Sequence, residues 1–119
     1  MVMDDTPLIN GRPMYWRLTP EREVIPATQQ EFTAVYAGDF GRNRRVGKDV
    51  VGDAEVSTVF LALDHNFHPA GPPLVFETMI FGGPHSDREW RYSTWADAAA
   101  GHESIVAALR EGRDPDSPE

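Results

Sequence analysis

The sequence predicts an α+β domain: a small antiparallel sheet of three to four strands with helices packed on one face. Three observations carry that expectation. First, β-branched and aromatic runs recur between residues 44 and 93 with short, turn-rich connections, and short connections join antiparallel neighbours. Second, residues 94–110 place apolar side chains at the i, i+3, i+4, i+7 spacing of a helix with one buried face. Third, a shorter helical segment precedes the strands. The order helix, strands, helix is most simply packed as a twisted sheet with one covered face.

Each element has its own signal. Asn10-Gly11 marks a turn. Met14 to Leu18 reads as a short strand, after which Thr19-Pro20 and Ile25-Pro26 interrupt regular structure. Thr28 and Glu31 form a capping box at the start of a helix that runs to Ala37. Phe32, Val35 and Tyr36 share one of its faces, and Gly38 suits the left-handed residue that ends it. Arg44 to Val51 reads as a strand, and Val51-Gly52-Asp53-Ala54 as a tight turn. Glu55 to Leu63 is the strongest strand. Its apolar residues fall on both faces, which predicts a central position in the sheet. Asp64 to Pro73 is a loop, and Leu74 to Phe81 is the next strand, ended by Gly82-Gly83-Pro84. Glu89 to Ser93 alternates, with Trp90 and Tyr92 on one face and Glu89 and Arg91 on the other. Thr94 caps the last helix, with Asp97 three residues on. Its stripe is Trp95, Ala98, Ala99, His102, Ile105, Val106 and Leu109, and it stops at Gly112. Residues 1–112 read as one domain, and 113–119, polar with two prolines, as a disordered tail.

Composition narrows the function classes. With 119 residues and 40% hydrophobic content the chain can build one core. The net charge of −8 opposes a polyanion, so nucleic acid is not an expected partner. There is no cysteine, which removes disulfides, thiolate metal sites and thiol catalysis. The longest apolar run, Val59 to Leu63, is too short for a membrane span. The first residues are acidic and lack the apolar core of a signal peptide. A soluble protein of the cytoplasm, or one associated with a virion, is expected.

Four groups of residues bear chemistry. Asp64, His65 and His68 follow the central strand, where an acid beside imidazoles serves proton transfer. His65 and His68 also have an H-x-x-H spacing, with Glu77 on the adjacent strand. Against this, Asp and Asn start turns by bonding nearby amides, and neither a metal nor a cofactor is expected. Glu77, inside the strand 74–81, is read as a cross-strand partner for an arginine. His102 lies on the apolar stripe and must have a ring nitrogen bonded to a fixed group. Asp64, Glu77 and Tyr92 are the candidates for that group. Finally, Arg42, Arg44, Arg45 and Lys48 gather among glycines, a combination that can hold an anion. On a regular strand, however, Arg44 and Lys48 share a face and Arg45 takes the other, the pattern of a charged edge strand.

Three segments together resemble a family of small bacteriophage and prophage proteins, chiefly of actinobacteria. These are Val56 to His65 (VSTVFLALDH), Leu74 to Gly83 (LVFETMIFGG) and Arg91 to His102 (RYSTWADAAAGH). The family pattern has glycine where this chain has Ala62, and it does not include His68. The resemblance spans residues 44–109 and carries no activity with it. The small size, the acidity and the lack of a catalytic motif make a phage-encoded accessory protein, one that works without catalysis by binding a host or phage protein, the leading expectation. A binder of small, nucleotide-type ligands and a small enzyme using Asp64, His65 and His102 are the alternatives. A second copy of the chain is a further partner that the sequence allows.

Overall fold

The computed structural model describes residues 8–9, 11–37, 44–66 and 70–116. Two hairpins come first. β1 (Leu8–Ile9) pairs with β2 (Arg12–Pro13), and β3 (Trp16–Leu18) pairs with β4 (Val24–Pro26). Next is α1 (Gln29–Ala37). Then come β5 (Arg45–Val51), β6 (Ala54–Phe60), β7 (Phe76–Phe81) and β8 (Glu89–Tyr92), an antiparallel meander in the spatial order β5-β6-β7-β8. The chain ends its regular structure with α2 (Trp95–Arg110), which lies across this sheet and touches all four strands. The α+β architecture and the antiparallel pairing of residues 44–93 are as the sequence predicts.

Alternation along the two middle strands builds the core. Ala54, Val56, Thr58 and Phe60 of β6 point inward, as do Phe76, Thr78 and Ile80 of β7. α2 lays Ala98, His102, Ile105 and Val106 over them. The apolar part of this layer falls into two clusters. One joins Ala54, Val56 and Ile80 to Ile105 and Val106. The other joins Phe60, Ala62, Val75 and Phe76 to Ala98. β6 is central, as expected, but its second face is not sealed: Glu55, Ser57 and Val59 are only half-buried. The apolar run at this end continues into Leu61 and Ala62, where the chain leaves the strand. Ala62 has φ 66°, a left-handed conformation that costs a side-chain-bearing residue about 1–2 kcal/mol and glycine nothing.

The β3–β4 hairpin and α1 close the second cluster. The Trp16 N–H donates to the Ala62 carbonyl at 2.9 Å, and the Ala27 N–H to the Tyr15 carbonyl at 2.8 Å. The α1 capping box forms as predicted: Thr28 N–H donates to Glu31 Oε1 (2.9 Å) and Glu31 N–H to Thr28 Oγ1 (3.1 Å). Those contacts, with Arg17 at 2.9 Å, hold the Glu31 carboxyl below its ordinary value, the backbone hydrogen bond of Thr28 contributing most. Tyr15 stacks on Phe32 with centroids 4.1 Å apart. Trp16, Leu18, Val24, Phe32 and Val35 thus pack onto the Phe60–Phe76 end of the core. The sequence reading took Pro20 and Pro26 as breaks. The structure instead uses Pro20 in the turn between β3 and β4, and Pro26 as the last residue of β4, where its missing N–H is tolerated. Gly38 and the Tyr36 side chain lie outside what is described.

Residues 113–116 depart from the expected tail. The Arg88 guanidinium donates to Asp114 Oδ1 at 2.7 Å and to Asp116 Oδ2 at 2.8 Å, and the Trp90 indole N–H donates to Asp116 Oδ1 at 2.7 Å. The polar composition that suggested disorder is what binds the segment to the β7–β8 hairpin. Residues 117–119 lie outside the described ones. Among the described residues, no helix is long and apolar enough to cross a membrane.

Candidate functional site

Two places gather side chains that bear chemistry. The first is a polar line between the two apolar clusters. Thr58 of β6 sits directly opposite Gly47 of β5 on one side and Thr78 of β7 on the other. The hydroxyls of Thr58 and Thr78 are 2.5 Å apart. His102 of α2 reaches down onto them, with Nδ1 2.7 Å from Thr58 Oγ1. Its Nε2 lies 2.7 Å from Asp49 Oδ2. At the far end the Tyr92 hydroxyl bonds Thr78, and burial raises the phenol above its ordinary value. An ionised carboxylate only accepts, so Nε2–H donates to Asp49. In a neutral ring Nδ1 then accepts from the Thr58 hydroxyl, which accepts in turn from Thr78. Every polar atom on the line has a partner.

Two glycines make room for it. A Cβ on Gly47 would stand 2.8 Å from His102 Nε2, and one on Gly101 would overlap the Tyr92 hydroxyl. The glycine beside His102 in the helix is there because the Tyr92 ring occupies that volume.

Carboxylate, imidazole and hydroxyl in this order form the arrangement that activates a nucleophile. Access decides otherwise. The Thr58 side chain is 0% exposed and His102 3%, and only the outer carboxylate, Asp49, reaches solvent at 38%. The Thr58 hydroxyl is thus closed to solvent in this structure.

The structure therefore corrects the predicted partners of His102. A ring nitrogen is bonded, as expected, but to Thr58 and Asp49 rather than to Asp64, Glu77 or Tyr92. A bulge between Arg45 and Gly47 shifts the register of β5 and turns Asp49 to the helix-covered face beside Val56. Glu77 points the other way and pairs with Arg91 across the strands at 3.1 Å, the cross-strand role read from the sequence. Asp64 is buried in the loop. It accepts from Arg12 (3.1 Å), from the Asn66 N–H (2.7 Å) and from the Leu74 N–H (2.9 Å). His65 donates from Nδ1 to the Leu63 carbonyl at 2.9 Å. Asp64 and His65 thus lie at the loop and His102 over the middle of the sheet, and none of the hydrogen bonds described above joins the three. His68 lies outside the described residues. Among those described, no three His, Asp or Glu side chains gather as metal ligands.

The basic strand is also divided. Arg44 is buried and its Nε–H donates to the Phe60 carbonyl at 2.9 Å. The bulge leaves Arg45 and Lys48 together on the outer face, where Lys48 lies 3.7 Å from Glu55. The expected pairing of Arg44 with Lys48 on one face does not occur, because the extra residue at the bulge reverses the alternation. Arg42 lies outside the described residues.

The second place is an open cleft of about 600 Å3 between the β3–β4 hairpin and the start of α2. Trp16, Val24 and Trp95 form its apolar wall, and Glu21, Arg22 and Glu23 of the hairpin turn line it too. Trp95 is braced from inside by Phe76, edge to face at 6.1 Å. The Arg22 guanidinium lies over the same ring, 4.3 Å from its centroid. Arg22 takes φ 67° to reach this position. The cleft has the size and mixed lining of a binding site. Reading the sequence residue by residue missed it, because Trp16 and Trp95 look like core positions of two distant elements; the Thr19-Pro20 turn that folds Arg22 back was the available signal.

Compared with protein-family models, with curated proteins and with solved structures, the chain matches none.

Proposed function

We propose that this protein acts by binding another protein through the Trp16–Trp95 cleft, without catalysis, as the phage-type accessory role implied by its sequence requires. One observation carries the reading. The group that looks catalytic, Asp49–His102–Thr58, is closed to substrate, whereas the tryptophan-lined cleft is open. Tryptophan and arginine are the residues that dominate protein interfaces, where an apolar centre is surrounded by a charged rim. The small-ligand alternative loses support on the basic strand, where Arg44 serves the fold.

The reading is tested by placing a photo-crosslinking side chain at Ala96, which lines the cleft, and at Val50 on the outer sheet face, in bacterial cells producing the chain. A discrete protein adduct from position 96 and none from position 50 is expected. Adducts only from position 50 would move the function to the sheet. Retention of a labelled nucleotide by the purified chain, lost on Trp95→Ala, would replace the protein partner by a small ligand.

A further inference from the structure

Resting on that reading, we infer that the cleft recognises an arginine side chain presented by the partner, and that Arg22 occupies its place in the free protein. Arg22 already shows that the outer face of Trp95 accepts a guanidinium, at 4.3 Å from the ring centroid. Such a contact contributes about 0.5–1 kcal/mol at an exposed site and more when water is excluded. An incoming arginine, held between the hairpin and the ring, would be less solvated than Arg22 is now.

The charges on the rim favour a cation. Glu21 and Glu23 line the cleft, and among the described residues neither carboxylate is engaged in an ion pair. They flank Arg22 in sequence but do not pair with it, and so they remain available to a second guanidinium. The whole chain, at −8, attracts basic segments and repels phosphates. The start of α2 at the edge of the cleft does not reverse this. Its Thr94 hydroxyl already accepts from the Asp97 N–H at 3.0 Å, and Asp97 supplies the negative charge that the helix end favours.

The recognised element is therefore a short basic peptide segment with an arginine beside an apolar residue, the arginine on Trp95 and its neighbour against Trp16 and Val24. Binding displaces Arg22, so the apparent affinity carries the cost of breaking the internal contact. That makes Arg22 a built-in competitor and gives the proposal a signature that simple charge attraction lacks.

The test is an NMR titration of the full-length, 15N-labelled chain with a pentapeptide containing Leu-Arg, with the same peptide carrying citrulline, and with AMP. The Trp16 and Trp95 indole signals should shift with the arginine peptide. The citrulline peptide, equal in shape but uncharged, should bind at least about tenfold more weakly. Arg22→Ala should tighten arginine-peptide binding by roughly two- to fivefold, while Glu21→Gln with Glu23→Gln should weaken it and flatten its salt dependence. Equal affinity for the citrulline peptide, or weaker binding by Arg22→Ala, would overturn the arginine assignment. If AMP alone moves the indole signals, the cleft is a site but of another ligand class. If no probe moves them and position 96 also fails to crosslink, the cleft itself is not the site.

Discussion

His102 and Trp95 stand two turns apart on one stripe of α2, and the stripe treats them differently. His102 sits over the middle of the sheet, where Gly47, Thr58 and Asp49 surround both ring nitrogens. Trp95 sits at the helix start, with Phe76 behind it and one ring face left to Arg22 and the cleft. The same helical period that buries the imidazole brings the indole to the sheet edge. The imidazole and hydroxyl that look catalytic are buried, and an aromatic that reads as core borders the open cleft.

The polar line should dominate stability. Thr58→Val keeps the shape of the side chain but removes the hydroxyl, leaving His102 Nδ1 and the Thr78 hydroxyl buried without it. Thermal or denaturant unfolding should show a loss of about 2–3 kcal/mol, the penalty of orphaned buried polar groups. A loss below 0.5 kcal/mol, on the scale of an ordinary surface change, would mean that water enters the line.

Gly101→Ala gives a sharper form of the same contrast. In an ordinary helix interior alanine is about 1 kcal/mol better than glycine. Here its Cβ meets the Tyr92 ring, and overpacking costs about 1–3 kcal/mol. A net loss of up to about 2 kcal/mol is expected, with partial recovery when Tyr92→Phe removes the hydroxyl nearest the new Cβ. A gain in stability would show that Tyr92 moves aside freely.

Changes in the cleft should be smaller. Arg22→Ala removes an exposed cation–π contact and, because alanine keeps the Cβ, leaves the left-handed backbone position as costly as before, so its effect on unfolding should stay within about 1 kcal/mol.

These two regions differ as much in legibility as in energetics. The sheet order, the α2 stripe and the α1 capping box were readable, because each depends on periodicity or on residues close in sequence. The burial of His102 was readable for the same reason. Its partners were not. They depend on the bulge beside Val46, for which Gly47 inside the strand was the one local cue, and on two threonines that meet only when β6 and β7 pair in register. The cleft was hidden for a similar cause. Trp16, Arg22 and Trp95 are joined by the docking of a hairpin, and a docking contact leaves no local pattern.

The smallest predicted effect is at the chain end. The Asp114 carboxyl is lowered to about 2, chiefly by its hydrogen bond from Arg88. A carboxyl lowered by folding stabilises the folded form above its ordinary value of about 3.9, and that contribution disappears as the pH falls through about 2. The 113–116 segment should therefore stay attached at neutral pH and detach in acid. The Trp90 indole N–H, which bonds Asp116, should report the release by NMR while the sheet amides are unchanged. Release already complete at pH 5 would contradict it.

A sealed polar line holds the fold, and the open cleft is the site proposed to bind. The dissociation constant of the Leu-Arg pentapeptide for Thr58→Val, measured beside wild type at a temperature where both are folded, tests that separation most directly. Affinity within about twofold of wild type, together with the lowered melting temperature, is the predicted result, since sites without shared partners act independently. Lost affinity at an unchanged melting temperature would place Thr58 and His102 in the working site and contradict the account.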